Sequence, residues 1–225
     1  MNWVVDNLDL IGRLTLAHLR QSAVAIVLGF VIAIPIGWAA FRFTRLRGTV
    51  LGLVGILYTI PSFGLFALIS ATTGIGLLSE TNLVVALTIY AVAIMTRSVT
   101  DGLASVDASV RSAAVAVGFG PLRRFWTVDF PLAGPVMLAG LRVTAVSTIA
   151  LATVGALIGV QNLGYLFTNG SQRRIIPEVL AGVLSVVVIA LVIDAILVLA
   201  GRALMPWTRR IRLPRERTLA REVTA

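Results

Sequence analysis

Five long apolar segments, with arginines gathered in the stretches between them, limit this chain more than any other feature. They run from Ser22 to Phe41, Thr49 to Ser70, Asn82 to Thr96, Pro131 to Ile158 and Pro177 to Gly201. A helix of ~20 residues rises ~30 Å, enough to cross the hydrocarbon of a bilayer. The third segment has only 15 residues and spans only with help from its flanks. The pattern predicts an all-α polytopic membrane protein with five transmembrane helices.

Composition agrees. Only 13% of the 225 residues are charged, about half the share usual in a soluble domain. The solvent around most of the chain is therefore lipid. Net charge is +9, and all 19 basic residues are arginine. A basic face on a soluble fold would point to nucleic acid. Here the arginines flank apolar segments, so no nucleic-acid partner is expected.

Their distribution orients the chain. Stretches 42–48, 97–130 and 202–225 hold fourteen arginines, whereas 1–21, 71–81 and 159–176 hold four. Cytoplasmic loops carry the excess. The N-terminus is expected outside, with 1–21 an external interfacial segment, 22–201 the transmembrane domain and 202–225 a basic cytoplasmic tail. The first apolar run could be a cleaved signal, with Ala39 and Ala40 at the cleavage site. The arginines directly after it favour a retained span.

Absences exclude whole classes of chemistry. There is no lysine, hence no phosphate-loop lysine and no ATP site of that kind. There is no cysteine and one histidine, His18, which is expected to be an interfacial polar group. No catalytic residue and no metal site is expected, because no carboxylate pair, nucleophile arrangement or ligand cluster is present.

Residues 97–131 form the longest inner connection. Asp107 suits an N-cap, the alanines between 108 and 116 favour helix, and Gly118 suits a C′ position. Pro121 suits the first turn of a second helix, which Pro131 ends or hands on to the fourth span. The stretch predicts two short helices around a glycine turn.

This spacing resembles the coupling loop of bacterial ABC-importer permeases. That motif reads Glu-Ala-Ala, three residues, Gly, nine residues, then Ile-x-Leu-Pro. Ser112, Ala113, Ala114, Gly118, Val128, Phe130 and Pro131 fall on those positions without a gap. Ser112 replaces the glutamate, Val128 the isoleucine and Phe130 the leucine. His18-Leu19 with Ser22, Ile34-Pro35-Ile36-Gly37, Thr59-Ile60-Pro61-Ser62, Ala139-Gly140-Leu141-Arg142 and Ile158-Gly159 are similar to stretches in permeases for osmoprotectants: glycine betaine, choline, carnitine and proline. The Gly-Gly-Leu-Gly of those permeases is here Gln161-Asn162-Leu163-Gly164.

The resemblance implies a set of partners. These are a second permease, either a copy or a homologue, two ATPase subunits carrying ATP and Mg, and an external substrate-binding protein. The loop would fit a groove of the ATPase, and solute would pass between two permeases in a bacterial plasma membrane. A permease for methionine or another amino acid would share the loop. A scaffold without transport is the remaining alternative.

Some residues stand out on their own chemistry. Arg142 and Asp194 are charges inside apolar segments, which either pair across the fourth and fifth spans or snorkel separately. Pro35, Pro61 and Pro135 act as hinges or as static kinks. Tyr58, Ser62, Phe63 and Phe66 around Pro61 either line a path for a small cation or face lipid and core. Gly48/Gly52 and Gly155/Gly159 match a close-packing spacing that chance alone supplies.

Overall fold

The computed structural model describes residues 2–208, and every described element is helical. The part of the expected basic tail beyond residue 208 lies outside the described residues. After a short α1 (Asn2–Asp6), α2 runs unbroken from Leu8 to Arg42. Its 35 residues rise about 50 Å, more than a bilayer core. The boundary expected at residue 21 therefore has no counterpart in the helix. Leu14, His18 and Gln21 are buried. Pro35 sits inside α2 without interrupting it.

The second apolar segment is not one straight span. It forms α3 (Thr44–Thr59) and α4 (Ser62–Thr73), bent by 105°. Pro61 has no N–H to give, and the residue before a proline is pushed out of the helical region. Ile60 accordingly takes φ −63° and ψ 126°. Its carbonyl accepts a hydrogen bond from the Tyr90 hydroxyl at 2.6 Å, so the break leaves that group paired.

The third segment is longer than its apolar run. α5 extends from Glu80 to Ala104, opened by the Ser79 hydroxyl, which accepts from the Asn82 amide at 3.1 Å. It carries Arg97 and Asp101 as helix, so the connection to α8 is shorter than its sequence limits. Next come α6 (Ala108–Ala116), α7 (Pro121–Arg124), a π turn (Phe125–Asp129) and α8 (Phe130–Ala152). A 3₁₀ stretch (Thr153–Ile158), α9 (Gly164–Arg173) and α10 (Ile176–Leu204) complete the bundle. Among the described residues four helical stretches are long and apolar enough to cross a membrane, five with the bent pair counted as one span.

α5 is the axis. The α2 stripe Ser22, Ala25, Gly29, Ala33, Gly37, Ala40 lies buried, and it meets α5 at Gly29 and Gly37. A Cβ on Gly37 would sit 2.7 Å from Val99, and one on Gly29 would collide with Ala91. Small residues let the two backbones approach where lipid supplies no hydrophobic drive. Of the two glycine pairs with close-packing spacing, Gly48, Gly52 and Gly159 leave open space for a Cβ, whereas one on Gly155 would sit 2.5 Å from Leu83.

Candidate functional site

The connection between α5 and α8 folds from its own local signals. The Asp107 carboxylate accepts from the Ser109 amide at 2.7 Å, capping α6. That backbone N–H holds the Asp107 carboxyl below the usual carboxylate range. The cap is therefore in place at neutral pH and weakens only as acid takes the pH through that lowered value. At the other end Gly118 takes φ +86°. The Gly118 amide donates to Val115 and the Phe119 amide to Ala114, at 2.9 and 3.0 Å, which closes a Schellman motif. Pro121 then starts α7.

The residues named from the motif divide by exposure. Ala114 is buried, whereas Ser112, Ala113 and Gly118 are exposed. The Ser112 hydroxyl donates to the Ala108 carbonyl at 3.0 Å, so it is spent on its own helix. Val128, Phe130 and Pro131 are half-buried where the loop joins α8. Phe130 packs on Phe125 and Trp126. The outward surface is apolar: Val117 is 74% exposed and Leu122 70%, with Val115 and Trp126 beside them. Exposed apolar side chains on a connection between spans fit a contact with protein or with the membrane surface.

Beneath this surface lies a polar cluster that no sequence motif marked. Asp129 is buried and accepts from Arg111 Nε at 3.0 Å and from Arg124 Nε at 3.1 Å. Arg111 also donates to the Leu103 carbonyl and lies 4.6 Å over the Phe41 ring. The only signal in the sequence was an acid in an arginine-rich stretch, among ten in the whole chain.

A second region faces sideways. Tyr58 on α3, Arg97 and Ser98 on α5, and Val143 and Ser147 on α8 line one groove. Val143 and Ser147 also line an adjoining groove with Arg142 and Asp194. The structure brings that pair together: Arg142 Nε donates to Asp194 Oδ1 at 2.6 Å and Nη2 to Oδ2 at 2.8 Å. Of the aromatic set around Pro61, Tyr58 and Phe63 are exposed and Ser62 is half-buried. Phe66 is 1% exposed and packs in the core with Leu65, Ile69 and Leu83.

His18 is a correction. It is fully buried rather than interfacial, with Nε2 3.0 Å from the Ile149 carbonyl. Nearby Asn162 donates to Gln21 Oε1 at 3.1 Å and to the Ala152 carbonyl at 2.8 Å, and accepts from the Gly164 amide. These bonds stitch the 159–164 turn to α2 and α8. Among the described residues no three His, Cys, Asp or Glu side chains gather as a metal site would require.

Comparison with known proteins matches residues 19–210 to the binding-protein-dependent transport system inner membrane component family. The chain belongs to that family.

Among similar permeases, the choline transport system permease protein OpuBB of Bacillus subtilis (strain 168) is 32% identical over 194 residues, 85% of this chain and 87% of the relative. The osmoprotectant import permease protein OsmW of Salmonella typhimurium is 32% identical over 202 residues, 88% of this chain and 93% of the relative. A solved inward-facing structure of the MetNI methionine ABC transporter shares the fold. It matches with TM-score 0.73 at 22% identity, covering 90% of this chain and 98% of that one. The chain is thus a multi-pass ABC permease.

Proposed function

We propose that this permease is the transmembrane subunit of an ATP-driven importer for osmoprotectants such as glycine betaine, choline, carnitine or proline. The observation that carries the reading is the inner loop. It offers exposed Val115, Val117, Leu122 and Trp126 to a partner while its base is bonded to the bundle. The relatives OpuBB and OsmW point to osmoprotectants, and the family description names a binding protein.

In this reading the N-terminus lies outside a bacterial plasma membrane and the loop inside. Ser112, Ala113, Ala114 and Gly118 belong to the helix and turn that enter an ATPase groove, and Val128, Phe130 and Pro131 pass the motion to α8. Two ATPase subunits bind ATP and Mg and hydrolyse the nucleotide, so this chain performs no chemistry. An external binding protein delivers the solute. The path runs between this permease and a second one, a copy or a homologue.

The sideways face supports the location of that path. Arg142 and Asp194 keep 42% and 27% of their side chains exposed in a single chain. Charges in mid-span are costly against hydrocarbon, so this face meets water or protein. Tyr58, Ser62 and Phe63, beside the Pro61 bend, continue it.

Reconstitution with the ATPase and binding protein tests the reading. ATP-driven uptake of labelled glycine betaine, choline, carnitine or proline is expected. Uptake confined to methionine would replace the substrate class, and an assembled complex that moves no solute would reject transport. Gly118→Val should abolish uptake with assembly intact, because φ +86° disfavours a β-branched residue. A scaffold would be indifferent to it.

A further inference from the structure

Asp129 answers to neither the membrane nor the docking surface. It ends the π turn Phe125–Asp129, where the extra residue per turn re-aims the start of α8. Both its oxygens are turned inward and taken, one by Arg111 of α6 and one by Arg124 of α7. Arg111 reaches further. Its guanidinium donates to the Leu103 carbonyl in the last turn of α5 and covers Phe41 near the end of α2. Trp38 of α2 meets Phe125 edge-on, ring centres 6.1 Å apart. One buried carboxylate thus joins the inner ends of α2, α5 and α8 to both short helices of the loop.

The covalent connections alone would not transmit force. α6 is tied to α5 only through 105–107 and to α7 only through 117–120, with Gly118 and Gly120 in the second link. A push on α6 would bend those links before it moved a span. A buried carboxylate shared by two arginines is satisfied in one arrangement and costly in any that separates them.

We propose that Asp129, through Arg111 and Arg124, clamps the coupling loop to the bundle so that it moves with the spans as a rigid lever. Asp129 is a positioning residue. The clamp rests on the permease function proposed for this chain, and it requires that breaking it separate hydrolysis from transport.

The test uses the whole importer in proteoliposomes, with ATP hydrolysis and solute uptake measured together. D129N should keep hydrolysis within about twofold while uptake per ATP falls about tenfold. D129E, which keeps the carboxylate, should recover part of the loss. R111Q/D129N removes one of the two arginines that D129N leaves without a carboxylate, so it should assemble even where D129N does not, and it should be equally uncoupled. Hydrogen exchange on the purified chain supplies a readout independent of transport. Amides 108–129 should exchange faster in D129N, with those of 83–96 unchanged. Unchanged uptake per ATP, or unchanged exchange, overturns the clamp. A wild-type complex that transports nothing, with exchange still accelerated in D129N, overturns the permease reading and leaves only the structural tie between loop and bundle standing.

Discussion

α5 and α10 are both membrane helices, yet they invert the rule that holds in water. α10 is the more apolar of the two. It is also the less buried: four of its 29 residues are inside, against fourteen of 25 in α5. In water the more apolar element would take the centre. In lipid, apolar surface gains nothing by leaving the solvent, so burial is decided by fit and by polar groups that need partners. α5 contributes Asn82, Thr96, Thr100 and Tyr90 to the interior, and small α2 residues close on it. α10 turns Leu184, Val188, Leu191 and Leu199 outward.

The largest effect should come from spoiling that fit. Gly37→Leu places a branched chain where even a Cβ lies 2.7 Å from Val99. The α2–α5 seam must part. The cost should reach or exceed the top of the ~1–3 kcal/mol range for overpacked cores. Thermal unfolding in detergent should show a large drop or no folded protein. A melting temperature within a degree of wild type would mean that close approach does not hold this bundle together.

The face that carries Arg142 and Asp194 lies between the two extremes and sharpens the contrast. D194N leaves the guanidinium without its bidentate partner, so uptake should fall strongly while the protein still assembles. R142Q/D194N removes both charges and should be more stable than D194N. If the double variant is no better, the two side chains do not act as a pair. The chain has no cysteine, so single cysteines report cleanly. S147C in this face should react with a membrane-impermeant thiol reagent in the assembled importer.

How much of this was legible depends on which signals are local. The apolar segments, the arginine bias and the Gly118 turn are written in consecutive residues, and each can be read without knowing what packs against it. Arg142 and Asp194 stood out because charge in lipid is rare. The 105° bend at Pro61 was not legible. A proline announces a break, but its angle depends on Tyr90, thirty residues away, accepting the role of partner to Ile60. α5 overran its apolar segment because Arg97 and Asp101 pair as i,i+4 neighbours near its end, and Asp101 also meets Arg47. Asp129 meets Arg111 across eighteen residues and a turn, so only the folded loop reveals it. The α2 stripe was missed because it alternates Gly with Ala, whereas the spacing sought required two glycines.

The smallest effect should be found on α10, and it tests the comparison most directly. Leu191 is 64% exposed and faces away from the bundle. Replacing it with alanine trades one apolar surface against lipid for a smaller one, and no partner loses contact. Leu191→Ala should change stability by about 0.5 kcal/mol or less, as surface substitutions do. Uptake should be unaffected. L191C should stay unreactive toward the reagent that modifies S147C, because hydrocarbon excludes it. A clear loss of stability in Leu191→Ala, or labelling of L191C, would mean that α10 meets protein or water at that point. The bundle's outer wall would then have to be redrawn with α10 on a contact surface.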